Sequence, residues 1–382
     1  MKKINTLYML DDPTKDKPVH FFLLKALPPA GFNPLICYFY GNAKDSVMTG
    51  DGVEAISLDL PKEQFKGFRP STVRRLKKLI QEREISMVHC QRHRAMVHAG
   101  FAMPGSGASA LFYTVRATNV LRNWNRRLVF NFLTKRISQI ICVSKGVKEY
   151  ILDNTRSVPA KKISVIHNGV DIKQFQLDVS KEEARKWLDV PRDGFYFGIV
   201  ARLKKAKCHD ILLEAFKNVQ RAFPDTRLAV VGDGPLEQKL KTLARRLGIE
   251  KRCHFTGRVQ YHEVPMAMKA FDCFVHPSFR EGLGVAILEA MASSLPVIST
   301  DASGIRDIFD TSAEIGQMVR AQDTEALTSS MLKFRAMDPN ELVRIGKAAK
   351  THVEKHFSKE AMVNANIQLY RRFAPIGVRP RY

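Results

Sequence analysis

Residues 277–300 read Pro277-Ser-Phe-Arg-Glu281-Gly-Leu-Gly284-Val-Ala-Ile-Leu-Glu289-Ala-Met-Ala-Ser-Ser-Leu-Pro296-Val-Ile-Ser-Thr300. The apolar run Phe271–His276 ahead of this stretch has strand character, Val285–Ser293 reads as a helix, and Pro296–Ser299 as a second strand. Strand, glycine-bearing loop, helix and strand in that order make a βαβ unit of a parallel sheet. Gly282 and Gly284 let backbone N–H groups approach an anion closely, and the following helix N-terminus adds about half a positive charge at the same place. Glu281 sits in the loop and Glu289 about one turn inside the helix. Carboxylates aimed at a diphosphate would repel it, so two of them beside it are better explained as acceptors for hydroxyl groups. The combination suits a sugar nucleotide: diphosphate on the helix N-terminus, one carboxylate for the sugar and one for the ribose.

Working outward, the same alternation recurs twice. Ile4–Leu10, Leu35–Phe39, Ile85–His89, Ala110–Val115 and Gln139–Val143 form a first strand series, with helices over Pro18–Leu27 and Ser71–Arg83. A second series starts over with Phe195–Val200, Arg227–Val231, Cys253–Phe255, Cys273–Val275 and Pro296–Ser299, separated by helices at Asp210–Arg221, Leu236–Leu247 and Val285–Ser293. The polar stretch Asn168–Asp193, with a short helical piece at Lys181–Leu188, is the junction. After Gly316 the pattern turns purely helical, over Thr324–Ala336, Pro339–His356 and Lys359–Phe373. The expected fold class is α/β: two facing, doubly wound Rossmann-like domains with a helical tail, and a ligand cleft at the carboxyl ends of the strands. The expected boundaries are 1–176 for an acceptor-side domain, 177–356 for a nucleotide-sugar domain, and 357–382 for a helix and basic tail packing back on the first domain.

Length agrees with this organisation, since 382 residues accommodate two domains. The 45% hydrophobic content excludes disorder, collagen and coiled coil. A net charge of +23 asks for an anionic partner, and residues 1–176 carry the larger share, 28 Lys and Arg against 13 Asp and Glu. Six cysteines spaced without a C-x-x-C pair fit neither a zinc site nor a disulfide framework and suit a reducing compartment. Ile4–Leu10 is too short for a signal peptide and stops at Asp11-Asp12. The expectation is a cytoplasmic protein, peripheral at the inner face of the membrane.

Several motifs are missing. No P-loop, G-x-S-x-G elbow, H-E-x-x-H or D-x-D occurs, which disfavours a P-loop kinase, an α/β-hydrolase, a zincin and a carboxylate-held metal. Gly105–Ala110 matches G-x-G-x-x-A but precedes a strand, so it reads as a connecting loop.

Glu281-x7-Glu289 followed by Ala290-Met-Ala and Pro296-Val-Ile-Ser-Thr300 closely resembles the signature of retaining GT-B glycosyltransferases of family 4. Further matches follow in order: Val143-Ser144-Lys145, Val165-Ile-His-Asn168-Gly169-Val-Asp171, Gly198-Ile-Val-Ala-Arg202 with Lys207, Val230-Val-Gly232-Asp-Gly234-Pro235, Phe255-Thr-Gly257-Arg258 and Ser303-Gly304-Ile305. The resemblance implies that Arg202 and Lys207 hold the donor diphosphate and that Glu281 accepts from donor-sugar hydroxyls. Those three form the catalytic set. It further implies that Glu289 binds the ribose, that the backbone at Gly257 and Arg258 contacts the base, and that the amides of Gly282, Leu283, Gly284 and Val285 contact phosphate or sugar. No metal is required in this scheme, and the nucleotide sugar is a co-substrate rather than a cofactor.

The first half departs from the family. Its usual Gly-Gly pair after the first strand is replaced by Asp11-Asp-Pro-Thr14-Lys15-Asp16-Lys17-Pro, where Thr14 and Lys15 are the substitutes. T-x-H reads Thr114-Val-Arg116, and H-x-H reads His89-Cys-Gln91. Thr14, Lys15, His89 and Arg116 are therefore the acceptor-side candidates. Asn119–Arg136 mixes Trp124, Phe130 and Phe132 with five cations, either to lie on an anionic leaflet or to pack its aromatic face on the first sheet. The basic tail with Arg379 and Arg381 adds to either reading.

The implied activity is retaining transfer from a nucleotide-sugar donor, expected to be a UDP-sugar. The expected acceptor is a glycan or lipid-linked molecule, phosphorylated or not, of lipopolysaccharide core or another surface polysaccharide. A GT-B epimerase or phosphorylase is the competing enzyme class. A nucleic-acid-binding protein is favoured by charge alone and lacks the aromatic-basic pattern of RNA-binding sheets.

Overall fold

The computed structural model describes residues 3–375 except 16, 62–66 and 156–157. Arg379 and Arg381, the end of the basic tail, lie outside the described residues. The chain divides into two compact units, one of residues 1–169 with 359–382, the other of residues 170–358.

The first unit is built on seven parallel strands: β1 (Ile4–Leu10), β2 (Phe32–Tyr38), β3 (Glu54–Ser57), β4 (Met87–Cys90), β5 (Ala110–Val115), β6 (Gln139–Cys142) and β7 (Ile163–Val165). Their order is β3-β2-β1-β4-β5-β6-β7, so the winding reverses between β1 and β4. Its helices are α1 (Pro18–Ala26), α2 (Pro70–Glu82), α3 (His93–Ala102), α4 (Trp124–Leu133) and α5 (Lys145–Asp153). The central strands are largely apolar because helices cover both faces, and every residue of β5 is buried. On α2, Thr72, Leu76 and Ile80 face inward while Arg74, Arg75 and Lys78 stay in solvent, as the helical period requires.

The second unit repeats the plan with β8 (Phe195–Val200), β9 (Thr226–Val231), β10 (Cys253–Gly257), β11 (Cys273–His276), β12 (Val297–Thr300) and β13 (Gly316–Val319). These parallel strands run in the order β10-β9-β8-β11-β12-β13, reversing between β8 and β11. Around them lie α6 (Lys181–Trp187), α7 (His209–Ala222), α8 (Glu237–Leu247), α9 (Val264–Lys269), α10 (Val285–Ala292), α11 (Thr324–Ala336) and α12 (Pro339–His356). The helical expectation from Gly316 onward is corrected here, because Gly316–Val319 pairs in parallel with β12 as an edge strand before α11 begins.

A last helix, α13 (Lys359–Phe373), belongs to the first unit. It buries Met362, Val363, Ile367, Leu369 and Tyr370 in the same core as Leu23 and Leu24 of α1. Tyr370 stacks on Phe112 with ring centroids 5.0 Å apart and reaches the His89 ring nitrogen with its hydroxyl. The Gly105–Ala110 segment is the connector between α3 and β5, as its position ahead of a strand requires.

Candidate active site

In doubly wound sheets, ligands bind outside the carboxyl ends of the strands where the winding reverses. In the second unit that point lies between β8 and β11. The segment after β8 carries Arg202 and Lys207, and the segment after β11 carries Glu281 and the Gly282–Val285 turn. The two are tied by backbone, Phe279 N–H donating to the Ala206 carbonyl at 3.2 Å. The Val230–Pro235 motif braces the first of them: Leu203 N–H donates to the Asp233 carbonyl at 2.8 Å. β12 braces the second, with Ser299 Oγ donating to the His276 carbonyl and Thr300 Oγ1 to that of Ser278.

Glu281 is the hub. Its Oε1 accepts from the Lys207 ammonium and, at 2.8 Å, from Nε2 of His276, while Oε2 has no partner among the described residues. Burial of this carboxyl opposes ionisation, but the His276 hydrogen bond and the Lys207 charge overcome it and hold the group well below the usual carboxylate range. His276 itself is fully buried, and burial together with Lys207 lowers its pKa, so a neutral ring with its proton on Nε2 faces Glu281. His209, buried beside it with both ring nitrogens unpaired, is pushed down to about 3 by burial and then by His276 and Lys207. The sequence did not single out His276 or His209; the only signal was the position of His276 as the last strand residue before the Pro277 loop.

Gly284 caps α10 at φ +88°, a left-handed conformation that favours glycine, and no acidic side chain occupies the first turn. The amides of Leu283, Gly284 and Val285 donate to no acceptor among the described residues, which leaves the helix entrance open for an anion. Gly304 packs so tightly under this turn that a Cβ there would lie 2.2 Å from the Gly282 carbonyl oxygen.

Glu289, one turn into α10, is buried with no hydrogen bond to its carboxylate among the described residues, and desolvation raises its pKa to about 7. Tyr261, just beyond β10, is near enough for Glu289 to raise its phenol after burial has done most of the work. Gly257 and the exposed Arg258 lie at the carboxyl end of β10, two strands from β8, and Gly257 accepts from Gly232 N–H at 2.7 Å. Arg202 is exposed and makes no ion pair among the described residues. The structure thus joins Lys207 to Glu281 directly and sets Arg202, Gly257, Arg258 and Glu289 on neighbouring segments of the same strand-end surface.

In the first unit the reversal point carries the acceptor-side candidates. His89 is buried, with Nδ1 on the Tyr370 hydroxyl and Nε2 on Thr114 Oγ1 at 2.7 Å, and burial followed by Arg116 lowers its pKa to about 3. Such a ring is a neutral structural connector. Arg116 is gripped by Gln91 Oε1 through Nε (3.0 Å) and Nη2 (2.9 Å), and by Asn168 Oδ1 through Nη1. Gln91 and Asn168 were legible only as motif letters; their role as the arginine's holders emerges from the fold. Thr14 is exposed and donates to Asp12 Oδ1 in the turn Pro13–Lys15, which Lys15 closes.

Residues 180–352 match the family model described as glycosyl transferases group 1, and residues 21–174 match glycosyltransferase family 4. The chain belongs to the family 4 glycosyltransferases. An Escherichia coli relative named UDP-Gal:alpha-D-GlcNAc-diphosphoundecaprenol alpha-1,3-galactosyltransferase is 28% identical over 309 residues, 77% of each chain. The lipopolysaccharide core biosynthesis mannosyltransferase LpsB of Rhizobium meliloti is 28% identical over 245 residues, 63% of this chain and 67% of its own. Among solved structures, HepE of Anabaena in complex with UDP and glucose superimposes with a TM-score of 0.79 at 19% identity, covering 97% of this chain and 100% of that one. A glycosyltransferase from Rickettsia africae gives 0.81 at 20% identity, covering 98% and 99%. The fold of this glycosyltransferase is GT-B, and relatives act in surface-glycan and lipopolysaccharide synthesis.

Proposed function

We propose that this glycosyltransferase moves a sugar from a UDP-sugar to a lipid-linked or lipopolysaccharide-type acceptor with retention of anomeric configuration. The observation that carries the reading is the half-engaged carboxylate of Glu281. Its Oε1 is occupied by Lys207 and His276, its Oε2 is open, and the unpaired amides of Leu283–Val285 lie beside it. A charged acceptor of hydroxyl hydrogen bonds next to anion-binding amides is what a sugar joined to a diphosphate requires. Arg202, Lys207 and the α10 N-terminus offset the charge that develops on the leaving diphosphate, so this reading needs no divalent metal. Glu289 takes the ribose hydroxyls, with Gly257 and Arg258 at the base. UDP as the nucleotide draws on the names of relatives and neighbours that carry UDP.

On the acceptor side, this reading assigns Arg116 to the acceptor, whose hydroxyl attacks the anomeric carbon on the face from which the diphosphate departs, the departing diphosphate taking the proton. Contact with an anionic membrane rests on α4. Phe130 and Leu133 face the core, whereas Trp124, Leu128 and Phe132, at i, i+4 and i+8, are 71%, 58% and 57% exposed on one stripe among Arg127, Lys135 and Arg136. The helix therefore packs one apolar face and leaves the other open, and the open face is what supports the leaflet reading. No helix among the described residues is long and apolar enough to cross a membrane. The reading is tested by a nucleotide-sugar panel read by thermal stabilisation and release of free nucleotide: UDP-sugars should stabilise the protein and be turned over, and a panel with no response would overturn it.

A further inference from the structure

A pocket of about 490 Å³ opens in the first unit at the carboxyl ends of β1, β4 and β5, and its lining is strongly cationic. Among the described residues, Lys17, Arg92, Arg94, Arg116, Arg122 and Arg126 contribute positive charge there, against one carboxylate, that of Asp11. Arg92 lies 3.8 Å from Asp11, which accounts for that carboxylate. Arg116 is held by the neutral side chains of Gln91 and Asn168, so its charge is positioned without being neutralised. Among the described residues, Arg126 donates to the Val120 carbonyl and neither it nor exposed Arg122 has an ion-pair partner. The same field reaches the two histidines of the wall: burial, then Arg116 and Lys17, lowers His20, and burial, then Arg126 and Arg94, lowers His93 to about 4. Holding Arg116, Arg122 and Arg126 around one cavity with no carboxylate ion-paired to any of them among the described residues is electrostatically costly in the empty protein, and an anion with several acceptor oxygens removes that cost.

We propose that this pocket binds a phosphoryl group carried by the acceptor, with Arg116 fixed at its base, Arg122 reaching the phosphate oxygens from the segment that leads into α4 and Arg126 from the first turn of α4. This rests on the reading of the chain as a transferase whose acceptor binds the first unit, and it adds the acceptor's chemical class. The phosphate belongs either to a lipid-linked acceptor, as the diphosphate between sugar and lipid, or to a phosphorylated sugar of the glycan. Both present the same oxygens to the same arginines.

The test is calorimetric titration of the full-length protein with decyl diphosphate, with glucose 1-phosphate, and with decyl glucoside as the uncharged control. At least one phosphate probe should bind where the glucoside does not, and its affinity should fall with added salt. Binding of decyl diphosphate alone assigns the phosphate to a lipid-linked acceptor; binding of glucose 1-phosphate assigns it to the glycan. The double variant Arg122→Gln with Arg126→Gln should weaken the probe about tenfold or more and leave UDP affinity unchanged. Phosphate probes that bind no better than the glucoside, a double variant that binds like the parent, or loss of the probe in Arg202→Ala with Lys207→Ala would each overturn the assignment. Phosphate binding that persists in a protein showing no affinity for any nucleotide would fault the donor reading and leave this one standing.

Discussion

His276 Nε2 lies 2.8 Å from Oε1 of Glu281, the same oxygen that takes the Lys207 ammonium. Two donors on one carboxylate oxygen fix the group's rotation, and the other oxygen has no partner among the described residues. The substitution Glu281→Gln keeps the shape, removes the charge, and leaves Lys207 and His276 facing an amide. Transfer should fall by about 100-fold or more, and stability by about 1–3 kcal/mol, with the circular dichroism spectrum unchanged. Steady-state kinetics and thermal unfolding check both.

Glu289 should make donor binding pH-dependent. Its folded pKa is raised to about 7 by burial, so it is largely protonated below that value and gains full acceptor strength above it. Hydroxyl donation from a bound ribose favours the ionised form, so donor affinity should rise as pH rises through about 7, with a proton released on binding. The linked stability term runs the other way: because the folded pKa lies above the unfolded one, the contribution is present at acid pH and lost as pH climbs through about 7. Glu289→Gln should flatten both profiles and weaken the donor about tenfold. Titration calorimetry in buffers of different ionisation enthalpy measures the proton directly.

Gly284→Ala should cost about 1–2 kcal/mol of stability, because φ is +88° and the new Cβ meets Ile287 Cδ1 at 3.0 Å. It should also weaken UDP binding by displacing the amides at the head of α10. Gly304→Ala should be worse on both counts, since its Cβ would clash with backbone rather than with the end of a side chain. Equilibrium unfolding and UDP titration of both variants give the order.

Tyr370→Phe removes the hydroxyl that meets His89 Nδ1 and leaves a buried ring nitrogen without that hydrogen-bond partner. A loss of about 1–3 kcal/mol is expected, with little change in donor affinity because the partners all lie in the first unit. Denaturant unfolding and UDP titration separate the two effects.

Replacing Trp124, Leu128 and Phe132 together by Ser should abolish co-sedimentation with anionic vesicles while leaving the fold intact, since all three side chains are exposed. Parent binding should weaken with salt. Salt-independent binding, or equal binding by the triple variant, would refute the membrane role.

The parts of the fold with strong local signals were legible. The apolar runs of β1 and β5 and the last three helices stand where their periodicity places them. What escaped were elements whose signal is weak for a physical reason. β3 and β13 are four-residue strands at or near a sheet edge, only partly buried, and α3 is buried on nearly all sides, so its helical period is masked by residues such as Ala95, Met96 and Ala99. At the candidate site, Glu281 and the glycine turn could be read from the strand–loop–helix pattern, and Lys207 came from the family resemblance; the fold brings Lys207 onto Glu281. Gln91 and Asn168 could not be read this way, because their roles depend on which strands become neighbours: their partner is Arg116, 25 and 52 positions away. His276 meets Glu281 only five positions on, but its place at the end of a strand was the one signal it carried.

The central claim is that the second unit holds a nucleotide-sugar diphosphate between Arg202, Lys207 and the amides ahead of α10. Titration of UDP into the parent protein and into the Arg202→Ala, Lys207→Ala double variant tests it most directly. The account predicts saturable binding by the parent and a loss of about 100-fold or more in a variant that remains folded. Undiminished UDP affinity in the double variant would contradict it.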